Sequence, residues 1–305
     1  MMLQRARHDG WTGRRPPTSA MAVARVDLPT EGEGNHPKQT RHDNGAPART
    51  HKLSARAFLP LFSLLLFTGL IYALWEAVSR AGLVDSYILP APAAVAQEFW
   101  IELTDGTLPA NAAVTLQEAL SGFALAAVIA GVAGYVIAHV RPLEALAAPF
   151  IAASQAVPVV AVAPLLILLL GGGLWSKTVI CAVVVVFPLL ITVVTGLRGV
   201  ERDYHDVARV FGASRLQTIT LVELPLAAPT LLSGLKLGLT LSIIGAVVGE
   251  FVQADSGLGF LINSASGNFV AAPKYAALIA LILLSITLFG CVTLLERIVL
   301  RWRDA

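Results

Sequence analysis

The chain has 305 residues, 56% hydrophobic and only 14% charged, with a mean hydropathy of +0.71. Soluble domains carry about a quarter charged residues, so this composition excludes a soluble globular protein and indicates a polytopic membrane protein. The net charge of +2 decides little as a total; where the charges sit decides more.

Residues 1 to about 55 are rich in Arg, Pro, Gly, Thr and His and show little apolar periodicity. Such a segment cannot bury enough surface to offset chain entropy, and it is expected to be a disordered tail. Its ten Lys and Arg residues argue for a cytoplasmic N-terminus. No signal peptide is expected, because the first long apolar run begins only near Phe58.

The apolar runs predict an all-α membrane protein with six transmembrane helices, over about 58–78, 117–138, 148–171, 176–197, 228–252 and 275–296. Each is near the roughly 20 residues that cross a hydrocarbon core of about 30 Å. Trp75 falls near an interface, and Pro90 and Pro92 open a short amphipathic helix at the outer surface, within a polar connection over 79–112. Ala126, Ala130 and Gly134 form a small-residue face on the second span. Pro149, Pro158 and Pro164 break or kink the third. On the fifth, Gly234/Gly238 and Gly245/Gly249 are spaced for close helix contacts. Cys181 and Cys291 lie in apolar runs and read as small core residues.

Six spans with an inside N-terminus put eighteen Lys and Arg on the cytoplasmic side and three outside, at Arg80, Lys177 and Lys274. The positive-inside rule supports this topology, and both termini are then cytoplasmic.

Between the fourth and fifth spans lies a polar interval, Asp203 to Pro225. Asp203 is placed to cap a short helix, with Asp206 in its first turn. Gly212 ends that helix. Ser214 and Gln217 form a capping-box pair that starts a second, which Leu224 and Pro225 close. Val207, Val210 and Phe211 share one face of the first helix. An apolar face on a basic cytoplasmic loop is a docking element.

Asp206-Val207-Ala208, Gly212, Val222 and Leu224-Pro225 resemble the coupling loop of ABC importer permeases, E-A-A-x3-G-x9-I-x-L-P. The departures are Asp at 206, Val at 207 and Val at 222, and the spacing has no gap. The segments AVPVVAVAPLLILLLGGG (156–173), ARVFGASRLQTITLVELPLAAPTLLSGLK (208–236) and GEFVQADSGLGFLI (249–262) are similar to the nitrate, sulfonate, taurine and pyrimidine branch.

The resemblance implies a type I ABC importer permease core in a bacterial inner membrane. It would be a non-catalytic subunit that homodimerises, docks a cytoplasmic ABC ATPase dimer and receives solute from an extracytoplasmic substrate-binding protein. It implies coupling roles for Asp206, Val207, Ala208, Arg209, Phe211, Gly212, Ala213, Leu224 and Pro225. Within the branch, GEFVQADSGLGFLI inclines the cargo toward pyrimidine- or riboflavin-like vitamin precursors over sulfonates, taurine or nitrate.

Glu250, Ser154 and Gln155 are candidates for the substrate pathway, since polar groups at membrane depth are functional by default. Against each stands an ordinary structural role, such as a bond to neighbouring backbone. GGGLWSKT (171–178) lacks the glycine before its lysine and follows a span instead of a strand, so it reads as an outer turn. His139 and His205 read as solitary interfacial residues. No cofactor, metal or nucleic-acid partner is expected. An ion-coupled secondary transporter acting alone is the alternative; it would need ionisable residues near the midplane of several spans.

Overall fold

The computed structural model describes residues 58–303, so the tail predicted over residues 1–55 lies outside the described residues. Every regular element in it is helical. In chain order they are α1 (Phe58–Arg80), α2 (Pro92–Thr104), α3 (Thr107–His139), α4 (Arg141–Ser154), α5 (Val159–Leu170), α6 (Leu174–Arg198), α7 (Arg202–Val210), α8 (Arg215–Thr218), α9 (Leu224–Val252), α10 (Leu258–Gly267) and α11 (Ala271–Val299).

Among the described residues, four stretches are long and apolar enough to cross a membrane, against the six spans expected: α3, α6, the run Arg215–Val252 and α11. A fifth follows if α4 and α5 are taken as one broken span. The kink expected in the third span is a turn of 97° between these two helices. Pro158 explains it, because it lacks an N–H and disfavours helical geometry at Val157. Helix α1 coincides with the first expected span.

The core is built on α6, which packs between α3 and α9. Small residues set the distances. Ala126 and Ala130 on α3 are wholly buried against α6, and a Cβ on Gly134 would stand 2.6 Å from Val193 Cγ1. Cys181 sits at the closest approach of all three helices. A Cβ on Gly122 would lie 2.1 Å from Cys181 Cβ, and one on Gly245 would lie 2.8 Å from Cys181 Cα. The expected face on α3 and the glycine pairs on α9 are therefore helix contacts. Cys291, by contrast, is exposed on α11. That helix is barely covered by the chain itself, with Ile282, Ile286 and Phe289 about half exposed.

Helix α3 begins ten residues before the expected span. Its first turns carry Asn111 and Thr115, polar side chains that turn inward to partners on α10 and α9. Hydropathy alone cannot see such partners. Near the start of α2, Trp75 Nε1 donates to Pro90 O at 3.0 Å and its ring stands 5.8 Å from that of Tyr275. These contacts tie α1 and the connection before α2 to α11.

Gly245→Ala is expected to lower the thermal midpoint of the detergent-purified protein, at a cost of about 1–3 kcal/mol for overpacking. The Cβ meets the Cys181 backbone, which cannot rotate away. Gly131→Ala, where nothing lies within 4 Å, is expected to leave the midpoint unchanged or raised. Equal midpoints for the two would contradict the packing described.

Candidate functional site: a loop between two spans and a buried polar cluster

The polar interval between α6 and α9 folds as two short helices around Gly212. The N-cap of α7 is Glu201, extended at φ −62° and ψ 145° with no side-chain cap bond. Asp203 therefore lies in the first turn instead of capping it, and Asp206 lies one turn further in. Asp206 faces Arg209 at 3.1 Å, but both side chains are largely exposed, so solvent screening leaves this pair little energy.

The C-terminus of α7 is closed by backbone bonds. Gly212 N–H donates to Arg209 O at 3.0 Å, and Ala213 N–H reaches back to Ala208 O at 2.9 Å. Gly212 adopts φ +70°, the left-handed conformation this closure requires. Ser214 and Gln217 form the expected capping box, through Ser214 N–H to Gln217 Oε1 at 2.8 Å and Gln217 N–H to Ser214 Oγ at 3.4 Å.

Leu224 and Pro225 do not close the second helix. A π-helical turn over Ile219–Glu223 carries the chain directly into α9, with Leu224 N–H bonded to Ile219 O.

The face of α7 is sharply divided. Ala208 is buried, at 8% exposure, whereas Val210 and Phe211 are each 84% exposed and Val207 is 54% exposed. Behind the loop, His139 and His205 both face Glu223, at 3.2 and 3.8 Å. His139 Nδ1 also lies 2.9 Å from Tyr135 O. The two histidines are thus not solitary. They share one buried carboxylate on the π-helical turn, linking the end of α3 to the loop.

At the opposite end of the bundle, three helices bring charges together. Lys177 on α6 donates from Nζ to Glu118 Oε1 on α3 at 2.7 Å, with both side chains nearly inaccessible. Lys177 is therefore not in an outer turn but in the first turns of α6. Glu250 on α9 is 1% exposed. Its Oε1 accepts from Thr115 Oγ1 at 2.7 Å and its Oε2 accepts from Gly259 N–H.

These groups cap α10. Gly257 N–H donates to Asn111 Oδ1 at 2.7 Å and Leu258 N–H donates to Thr115 Oγ1 at 2.8 Å, which with the Gly259 bond satisfies three amides at its start. A Cβ on Gly257 or Gly259 would collide with the Glu250 carboxylate, at 2.2 and 2.5 Å. That explains the Gly-Leu-Gly of the segment 249–262. Glu118, Lys177, Asn111 and Thr115 were not singled out by sequence. The available signal was a carboxylate at one apolar run's edge and an ammonium at another's.

Ser154 and Gln155 lie at the bend between α4 and α5. Ser154 Oγ donates to Ile151 O at 2.7 Å, and Gln155 is exposed. They are not part of the charged cluster around Glu250.

Helices long enough to span a membrane, packed through small residues and buried polar caps, define a polytopic membrane protein, with an exposed apolar face on a polar loop between two of its spans. Residues 122–302 match the family described as binding-protein-dependent transport system inner membrane component, and the chain belongs to that family. It is 44% identical over 233 residues to the riboflavin transport system permease protein RibX of Chloroflexus aurantiacus, covering 76% of this chain and 87% of that one. It is 31% identical to the putative aliphatic sulfonates transport permease protein SsuC of Bacillus subtilis, over 79% of this chain and 87% of that one. A solved chain of the MetNI methionine ABC transporter, in an inward-facing conformation, superposes with a TM-score of 0.58 at 20% identity, covering 65% of this chain and 98% of that one. This last likeness shows the fold alone.

The chain is therefore a multi-pass inner-membrane permease subunit of a binding-protein-dependent ABC importer. It is not itself an enzyme; a separate ATPase and a substrate-binding protein are its partners. The lone secondary transporter is set aside.

Thr115→Val is expected to lower stability, because it strips a buried partner from both Leu258 N–H and Glu250 Oε1, at about 1–3 kcal/mol for each orphaned group. Hydrogen exchange at the Leu258 and Gly259 amides should accelerate in Thr115→Val and stay slow in Thr115→Ser. Equal exchange in the two variants would contradict the capping role.

Proposed function

We propose that the chain is a six-span permease that homodimerises around a pathway for a riboflavin- or pyrimidine-like heterocycle and is driven through its 203–225 loop. The six spans are α1, α3, the α4–α5 pair, α6, α9 with its lead-in from Arg215, and α11. Both termini are cytoplasmic, in keeping with the excess of Lys and Arg on that side.

The observation that carries the coupling role is the α7 face. Val207, Val210 and Phe211 offer apolar surface to water while Ala208 anchors the helix from behind. In the assembled importer this face seats in a cleft of the ATPase. Gly212 and Ala213 fix the turn beneath it, and Asp206 and Arg209 flank it. Leu224 and Pro225, held by the π-helical turn, pass its displacement into α9. Closure of the ATPase pair then reorients the spans. The 97° bend at Ser154 and Gln155 supplies a place where irregular backbone lines the pathway. Glu250 serves the pathway by holding α10 over its outer end.

Support for the cargo comes from RibX, at 44% identity. The formylaminopyrimidine transport permease protein ThiX of Halalkalibacterium halodurans, at 29%, points the same way. Sulfonates and taurine are the second reading, favoured by SsuC and by the taurine transport system permease protein TauC of Escherichia coli, also at 29%.

The paired change Val210→Asp and Phe211→Asp tests the coupling role in proteoliposomes carrying permease, ATPase and loaded binding protein. Burying two carboxylates in an apolar cleft should lower ATPase retention and ATP-driven uptake by tenfold or more, at roughly 2 kcal/mol for a single interface anchor. Unchanged retention and uptake would overturn it. Riboflavin and taurine uptake compared in the same vesicles decides the cargo.

A further inference from the structure

A cavity of about 660 Å³ opens where the end of α3 meets α7, α8 and the π-helical turn. Tyr135 and His139 line it from α3, His205 and Arg209 from α7, and Arg215 from the start of α8. Helix α3 is one of the membrane-crossing stretches and His139 is its last residue, so the cavity stands where a span reaches the membrane surface. Its volume suits a small molecule or a headgroup better than a lone ion.

Three donor groups here lack an acceptor in the chain. The Arg215 guanidinium makes no hydrogen bond or ion pair among the described residues. The Tyr135 hydroxyl is unbonded among them as well, yet is not closed off from solvent. His205 turns Nδ1 toward Glu223 and leaves Nε2 unbonded and accessible. The nearby carboxylates do not meet these groups. Glu223 Oε1 faces the two imidazoles, and its Oε2 is inaccessible from the cavity. Asp206 meets Arg209 at 3.1 Å. Arg215 is therefore the uncompensated charge on the cavity wall.

We propose that this cavity binds a phosphate group, carried by an anionic lipid headgroup or by a soluble phosphate ester. A guanidinium fork pairs bidentately with two phosphate oxygens. The remaining oxygens can accept from the Tyr135 hydroxyl and the His205 ring, whereas a carboxylate has too few oxygens to meet all three donors. Basic pockets at the ends of spans are also where anionic headgroups are met. A ligand seated there bridges α3 to α7 and α8 and so ties the loop to a span. The inference goes beyond the coupling role proposed for the loop and does not depend on it.

The test is hydrogen exchange at the amides of residues 203–223, in the permease–ATPase complex held in nanodiscs. Three conditions are compared: phosphatidylcholine alone, phosphatidylcholine with inorganic phosphate titrated in, and phosphatidylcholine with increasing phosphatidylglycerol. Potassium chloride at matched ionic strength is the control. Exchange is expected to slow with phosphate or with phosphatidylglycerol, and not with chloride. Slowing by phosphatidylglycerol alone assigns the site to a headgroup, and slowing by inorganic phosphate assigns it to a soluble ester.

Arg215→Gln should raise the concentration needed by about tenfold or more, as for loss of a hydrogen bond between charged groups, and Tyr135→Phe by about fivefold. Since Arg215 has no partner in the chain, Arg215→Gln is expected to keep the wild-type thermal midpoint in phosphatidylcholine. No slowing in either phosphate condition, equal slowing by chloride, or an unchanged response in Arg215→Gln would overturn the proposal. It also falls if the loop is already slow in phosphatidylcholine alone and Arg215→Gln releases it there, because an acidic segment of the ATPase then fills the cavity.

Discussion

Cys181 occupies the point where three membrane helices come closest, and much of the structure follows from that approach. With no hydrophobic drive between helices in lipid, association depends on packing and on interhelical hydrogen bonds. Gly122 on α3 and Gly245 on α9 let both helices press against α6 at this level. About one turn further out, the same geometry brings Glu118, Lys177 and Glu250 face to face from those three helices. Close packing creates the polar cluster, and the cluster in turn fixes α10 through Thr115 and Asn111. This end of the bundle is thus held by buried polar bonds resting on a small-residue seam.

The end that carries the α7 loop is built on the opposite plan. There the loop offers its apolar residues outward and satisfies its own backbone locally, through the Gly212 closure and the Ser214–Gln217 box. It is attached to the bundle at two places, the end of α6 and the π-helical turn that carries Glu223. Besides those at Ala208 and Glu223, α7 makes few contacts with the spans. A π-helical turn at this junction accords with the frequent placement of such turns at functional sites. His139 and His205 meet on the same carboxylate, so the end of α3 is bound into that junction as well.

The sequence made four or five of the helical spans visible because apolar runs of about 20 residues are a strong signal, and the α9 glycines announced their contacts through four-residue spacing. The Gly212 hinge and the capping box were equally legible, since both depend on residues close in the chain. Partnerships between distant residues were not. Hydropathy places Asn111 and Thr115 in a loop because it ignores what a polar side chain will meet, whereas α3 begins at Thr107. Lys177 looked like an outer turn residue for the same reason, its partner lying 59 residues away. Asp203 lost the N-cap position to Glu201 because boundary residues are decided by local backbone geometry that composition does not resolve.

The proposed coupling role makes α7 the surface through which the ATPase acts. The most direct measurement is site-specific cross-linking of the intact complex, with Val210→Cys as the only thiol on the permease after Cys181 and Cys291 are replaced by Ala and Ser. The expected result is a permease–ATPase cross-link from position 210 that strengthens when nucleotide is added. Its absence from a complex that still hydrolyses ATP and transports would contradict the account.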